Sequence, residues 1–264
     1  MSKLKEKIEE VVNGFYKNNE DIEKEIKKIV NNYLKNPSKF KDYKEETVGQ
    51  VFQAAVKEES NSIMENWKKT NQIFNQKIKV IIAEEKEIII PKLKDKPADY
   101  SVRISNAIKY LEIQGDKLNE MISNEKDPTK TILETADDVV FGILKDFIDD
   151  HEQMRLFKQV IKGIMNKDML ENSKGKTMFP KTFGKFNKIE MLINTFNEME
   201  TIANVIFLKG KPHIEMYVLN NKRIEIPTKF DHLGYDEDSN DDNIVTLAEM
   251  IDKAVEKMNN SVTQ

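Results

Sequence analysis

Cysteine is absent from the 264 residues. No disulfide framework, thiolate nucleophile, iron–sulfur cluster or cysteine-based zinc site can therefore be built, and the chain suits a reducing compartment. Glycine (9) and proline (7) are scarce, which argues against a turn-rich β-sandwich. Long apolar runs are missing too. Ile88-Ile89-Ile90 is among the longest, far below the ~20 residues of a membrane span. The lysines after Met1 precede no apolar signal core. Neither sign of charge dominates: 42 basic against 46 acidic residues give a net charge of −4, unlike a general nucleic-acid coating protein. These absences predict a protein with no membrane segment, cytoplasmic or built into a soluble assembly.

What is present favours long helices. Hydrophobic residues make up 39% and charged residues 33%, too apolar for disorder and too charged for a membrane protein. Leu4, Ile8, Val11, Val12 and Phe15 recur at helical spacing, as do Ile22, Ile26, Ile29, Val30, Tyr33 and Leu34. They predict two amphipathic helices separated near Asn18-Asn19, ending at Pro37. From 45 to 90, Phe52, Val56, Glu59, Ile63, Trp67, Thr70, Phe74, Ile78, Ile81, Glu85 and Ile88 advance by alternating threes and fours. This coiled-coil-like stripe predicts one helix roughly 65–70 Å long at 1.5 Å per residue. Two shorter helices with a break near Asn71 are the alternative.

Pro97-Ala98-Asp99 opens a further helical region, with Asp99 a candidate N-cap, a break expected at Gly115 and a restart at Asp127-Pro128. Asp149-Asp150 precede another helix. Residues 167–187, with Asn172-Ser173-Lys174-Gly175 and Phe179-Pro180, read as a linker. Ile189, Leu192, Ile193, Phe196 and Met199 suggest one more helix. The period then switches to two, and Val205 to Leu208, His213 to Leu219 and Arg223 to Ile226 read as three strands, with Asn220-Asn221 as a hairpin turn. The expected fold is mainly α. An N-terminal hairpin and long helix occupy 1–96, a three-helix subdomain 97–166, a linker 167–187, and a small α+β module with a short antiparallel sheet 188–264.

Chemical motifs are few. Gly175-Lys176-Thr177 lacks the earlier glycine of a phosphate-binding loop, since position 170 is Leu. His151-Glu152-Gln153-Met154-Arg155 places Arg155 where a zinc helix needs its second ligand. His213 and His232 are isolated. The segment 238–249 resembles a twelve-residue calcium loop, with Asp238, Asn240, Asp242 and Glu249 as candidate ligands. Asn243 stands where that loop needs glycine. The competing reading is an acidic cap on a final helix carrying Ile244, Leu247, Ile251, Val255 and Met258. No catalytic residue is singled out, and no other cofactor is expected.

Two interaction surfaces follow. Along the long helix, Phe52, Ile63, Trp67, Phe74 and Ile81 form a ridge expected to dock a protein partner or a second copy, with Trp67 as anchor. Lys174, Lys176, Lys181, Lys185 and Lys188, interleaved with Phe183 and Phe186, would suit a single-stranded nucleic acid. The bland alternative is a linker whose phenylalanines tuck onto neighbouring structure.

Two segments carry a resemblance. Tyr100-Ser101-Val102-Arg103-Ile104-Ser105-Asn106-Ala107-Ile108-Lys109-Tyr110-Leu111-Glu112 and residues 143–157, Ile143 to Phe157, resemble helical proteins of tailed phages and prophages of Gram-positive bacteria. With the Lys-, Glu- and Asn-rich helix before them, which is also similar to that group, the resemblance covers about 60 residues and implies a virion-assembly or accessory role, with a virion location. Residues 188–264 lie outside it. The combined expectation is a non-enzymatic scaffold or interaction protein, with a nucleic-acid-binding accessory protein as the alternative.

Overall fold

The computed structural model describes residues 2–44, 47–93, 95–123, 130–164, 179–219 and 221–230. The fold is mainly α with one small antiparallel sheet. Among the described residues six α-helices precede the sheet: α1 (Ser2–Lys35), α2 (Val48–Ile89), α3 (Tyr100–Ser123), α4 (Lys130–Leu144), α5 (His151–Ile164) and α6 (Pro180–Asn204). Strands β1 (His213–Leu219) and β2 (Lys222–Lys229) form a hairpin. Among the described residues, no helix is long and apolar enough to cross a membrane. The chain divides into two compact units: residues 1–85 with 195–264, and residues 86–194.

In the first unit the two expected N-terminal helices are a single one. No break occurs at Asn18-Asn19; α1 runs 34 residues through both. Asn19 is buried and points inward, so the polar pair that looked like a boundary belongs to the core. The turn signal at Asn36-Pro37 does hold, as a short 3-10 turn over Pro37–Phe40. Beyond it α2 is one unbroken 42-residue helix, with no interruption at Asn71.

Helices α1 and α2 pack antiparallel. Lys7 pairs with Glu84 at 3.2 Å, the rings of Phe15 and Phe74 lie 6.1 Å apart, and those of Tyr33 and Phe52 lie 6.0 Å apart. The sheet completes this unit. Leu219, Ile224 and Ile226 are buried, while alternate residues face out, as the two-residue period of a strand requires. Strand β2 follows α2. Ile224 lies against Gly49, the Gln53 side chain donates to the Glu225 carbonyl at 2.8 Å, and Phe230 packs on Trp67 with ring centres 5.3 Å apart. Among the described residues only two strands form. Val205 to Leu208, expected as a strand, belong to a π-helical turn (Val205–Lys209) that extends α6 and buries Phe207 against Phe15 at 4.8 Å. Asn221 takes φ 64° in the hairpin turn, a conformation asparagine tolerates.

The second unit is helical. Its core joins Leu111 and Leu118 of α3, Val140 and Leu144 of α4, Phe157 and Ile161 of α5, and Phe179, Phe183 and Phe186 around the start of α6. Asp150 caps α5, accepting from the backbone N–H of Gln153 at 3.2 Å. Asp137 of α4 caps α6 from outside the helix. Its carboxylate accepts from the N–H groups of Lys181 (2.7 Å) and Thr182 (3.0 Å) and from the Thr182 hydroxyl (2.6 Å). Residues 180–187, read from sequence as linker, are thus the first turns of α6, while 167–178 lie outside the described residues. Asp127-Pro128 lies outside them as well. Asp99 precedes α3, and its carboxylate accepts from the Arg103 side chain at 2.9 Å. Helix α3 does not break at Gly115.

That glycine has a packing role. A Cβ at position 115 would overlap the Cγ2 methyl of Ile164 on α5, whereas Gly142 and Gly163 have nothing near their missing side chains. Gly115→Ala therefore costs ~1–3 kcal/mol of overpacking, against a helix-propensity gain of ~1 kcal/mol. We expect urea denaturation to show a net loss for Gly115→Ala and a gain of ~0.5–1 kcal/mol for Gly163→Ala. Stabilisation by both would refute the close approach.

Candidate functional site

The ridge on α2 is an internal seam. Phe52 is buried between Phe40 (5.4 Å) and Tyr33. Trp67, 3% exposed, lies under Phe230, and its indole N–H donates to the Asn19 side-chain oxygen at 2.9 Å. Ile63, Phe74 and Ile81 are half-buried, with Phe74 against Phe15. The docking surface expected there is thus covered by the chain's own α1 and β2. The buried face also differs from the stripe read in sequence. Val48, Phe52, Val56, Ser60, Trp67, Asn71, Asn75, Ile78 and Ile82 are its buried members, while Ile88 is 75% exposed. Asn75 donates to the Asn204 side chain at 2.9 Å.

The phenylalanines of the lysine-rich stretch are likewise interior. Phe183 and Phe186 are core residues, and Phe186 stacks on His151 with centres 4.6 Å apart. Bases cannot stack on buried rings, which removes the aromatic half of a single-strand site. Lys181 pairs with Asp138 and Lys185 with Asp149, each at 2.6 Å. Lys188 follows on α6, and Lys174 and Lys176 lie outside the described residues. So do Asp238, Asn240, Asp242 and Glu249 of the calcium-like loop. Among the described residues no group of three or more His, Cys, Asp or Glu could hold a metal ion.

Two polar clusters organise the second unit. In one, the Tyr100 hydroxyl donates to Asp150 at 2.9 Å and Lys96 reaches the same carboxylate at 3.1 Å. Burial pushes the Asp150 carboxyl up, but hydrogen bonds from Lys96, Tyr100 and the Gln153 N–H together hold it below the ordinary range. Burial and the bond to Asp150 push the Tyr100 hydroxyl up. In the other, the Glu190 carboxylate receives the His151 ring and the Arg155 guanidinium, both at 2.6 Å. Burial again raises Glu190, and these two bonds more than reverse it. Both clusters join separate helices, with Asp150 and His151 adjacent at the start of α5.

The first unit holds the concave and apolar surfaces. A cleft of about 660 Å³ lies between α2 and β2, floored by Ile26, Val56, Ser60 and Ile226. Lys57, Lys68 and Lys211 stand along it, with Glu225 the one carboxylate among its lining residues. On the outer face of β1, Ile214, Met216 and Val218 are 60%, 54% and 63% exposed. An open recess of about 340 Å³ beside that strand is lined by Lys27, Asn31, Glu215, Met216 and Tyr217. Glu215 is held there by Lys27 (3.0 Å), Thr228 (2.5 Å) and Tyr217 (2.9 Å). Burial raises the Glu215 carboxyl and these partners outweigh it, leaving it low. Sequence reading marked β1 as a strand but missed its apolar outer face. The alternation of Ile214, Met216 and Val218 was legible, but which face a sheet would cover was not.

The chain matches no protein-family model, no curated protein and no solved structure.

Two measurements check this description. Trp67→Phe keeps an aromatic ring but removes the indole N–H, leaving the Asn19 oxygen buried without its donor, so a loss of ~1–3 kcal/mol is expected in urea denaturation; an unchanged midpoint would mean an exposed indole. Asp150→Asn removes a carboxylate whose folded pKa is depressed. Its contribution is present above the unfolded value and lost as pH falls through the folded one. The stability gap between wild type and Asp150→Asn should therefore be full at neutral pH and close in acid. A gap constant with pH contradicts the cluster.

Proposed function

We propose that the protein is a non-enzymatic scaffold or structural interaction protein that self-associates through β1. The observation that carries this reading is the row Ile214, Met216 and Val218, each more than half exposed on a strand with one partner strand among the described residues. An exposed strand edge offers unpaired backbone donors and acceptors to another strand, and alternate side chains select the partner.

The strand is complementary to itself. Antiparallel pairing of two β1 strands centred on Met216 sets Ile214 against Val218 of the second copy, Met216 against Met216, and Glu215 against Tyr217. Every outer pair is apolar, and no like charges are opposed, which favours cross-strand pairing. The resulting sheet would have four strands in the order β2-β1-β1-β2, with an isologous two-fold. The phage-like sequences on α3 and α5 support an assembly role, in a virion if the protein is phage-encoded. Protein partners beyond a second copy would meet the same strand.

Light scattering across a concentration series tests the pairing. Wild type should show a concentration-dependent dimer, and Met216→Lys should remain monomeric with unchanged circular dichroism and melting temperature. A wild-type monomer up to its solubility limit, or an unaffected Met216→Lys dimer, overturns the proposal.

A further inference from the structure

The cleft between α2 and β2 shares Ile214 with the β1 row, but its charged groups take no part in β1 pairing. On α2, Gln53, Val56, Lys57, Ser60, Met64 and Lys68 line it. They recur at three- and four-residue spacing along about 22 Å of helix, at 1.5 Å per residue. Strand β2 runs along this face from the Gln53 end, where Glu225 bonds Gln53, to the Trp67 end, where Phe230 packs. Lys211 and Pro212 precede His213, whose register partner is Lys229, near the end of β2. Lys211 therefore belongs to the same end of the cleft as Lys68.

This places Lys68 and Lys211 together at one end, a buried apolar floor through the middle, and Glu225 with Lys57 toward the other. None of the ion pairs among the described residues engages Lys57, Lys68 or Lys211. A mostly apolar concavity with a few convergent charged groups is the usual form of a small-molecule site.

We infer that the cleft binds a single-chain amphiphile with an anionic head, of the fatty-acid type. The alkyl chain runs along Met64, Ile214 and Pro227 above the buried Ile26, Val56 and Ile226, and the acid group is held by Lys68 and Lys211, with Lys57 one turn from Gln53. Burial of methylenes on this floor supplies the affinity, roughly 0.8 kcal/mol for each one fully desolvated. The paired lysines supply the choice of head group, since an ammonium head would meet two like charges.

Calorimetry on the full chain tests this with laurate and with dodecyltrimethylammonium, both below their micelle concentrations. Saturable one-to-one binding of laurate and at least tenfold weaker binding of the cation are expected. Lys68→Glu with Lys211→Glu should weaken laurate at least tenfold. Met64→Trp, which fills the cleft without touching charge, should do the same, and it stands alone if the double variant does not fold. Met216 does not line the cleft, so the monomeric Met216→Lys variant should still bind laurate, which separates this site from strand pairing. Absence of saturable laurate binding, equal affinity for the cation, or indifference to Met64→Trp overturns the inference. So does a carbodiimide link from Lys68 or Lys211 to an acid within residues 231–242 that laurate fails to suppress, because the occupant would then be the chain's own acidic segment.

Discussion

The hydrogen bond from the Trp67 indole to Asn19 fixes how α1 and α2 meet. Apolar contacts between two long helices tolerate sliding by a turn, because one aliphatic side chain substitutes for another. A buried donor facing a buried acceptor does not, since misalignment leaves both groups dry and unpaired. Polar groups inside otherwise apolar helix pairs are well placed to specify register for this reason. Here Asn19 selects one alignment out of several, and that alignment brings Phe15 to Phe74 and Tyr33 to Phe52. The sheet depends on it as well, because Phe230 lands on the ring that Asn19 holds. Cleft and outer strand both inherit their positions from that one bond.

The second unit reaches definition differently. Its charged groups are spent at helix ends. Asp137 satisfies the first N–H groups of α6, and Asp150 does so for α5 while also receiving Tyr100 and Lys96. A carboxylate at a helix start meets unsatisfied donors and the positive end of the dipole together. The lowered pKa of Asp150 belongs to this architecture, while that of Glu190, inside α6, comes from the Arg155 and His151 side chains that join α5 to α6.

Much of the architecture was legible because apolar periodicity is physical: it marks the face a helix must bury. The length of α2 and the two true strands were read this way, and the turn at Pro37 from its turn-forming residues. The errors cluster where polar residues are buried or apolar ones are not. Asn19 looked like a boundary and is core; Asn71 and Asn75 sit in the seam where the sequence pattern placed Thr70 and Phe74. Val205 to Leu208 had a strand's composition, yet the continuing helix claimed them because Phe207 could fill the space beside Phe15. Phe183 and Phe186 read as stacking rings only while their neighbours were unknown. For the candidate surfaces, exposure was the missing variable. It is set by tertiary neighbours, which neither the α2 ridge nor the β1 row discloses on its own.

The first unit is discontinuous in sequence, with residues 86–194 interposed between its two parts. Ribosomal synthesis releases the chain from its N-terminus. While α1 and α2 emerge, the side chains that cap their seam, Phe207 and Phe230, have not been made. The nascent helical pair must wait, greasy and half-finished, until translation passes the interposed unit, whose own core is complete by Phe186. The later unit in the reading frame thus folds to completion first, and the N-terminal one closes only when the last strand is delivered.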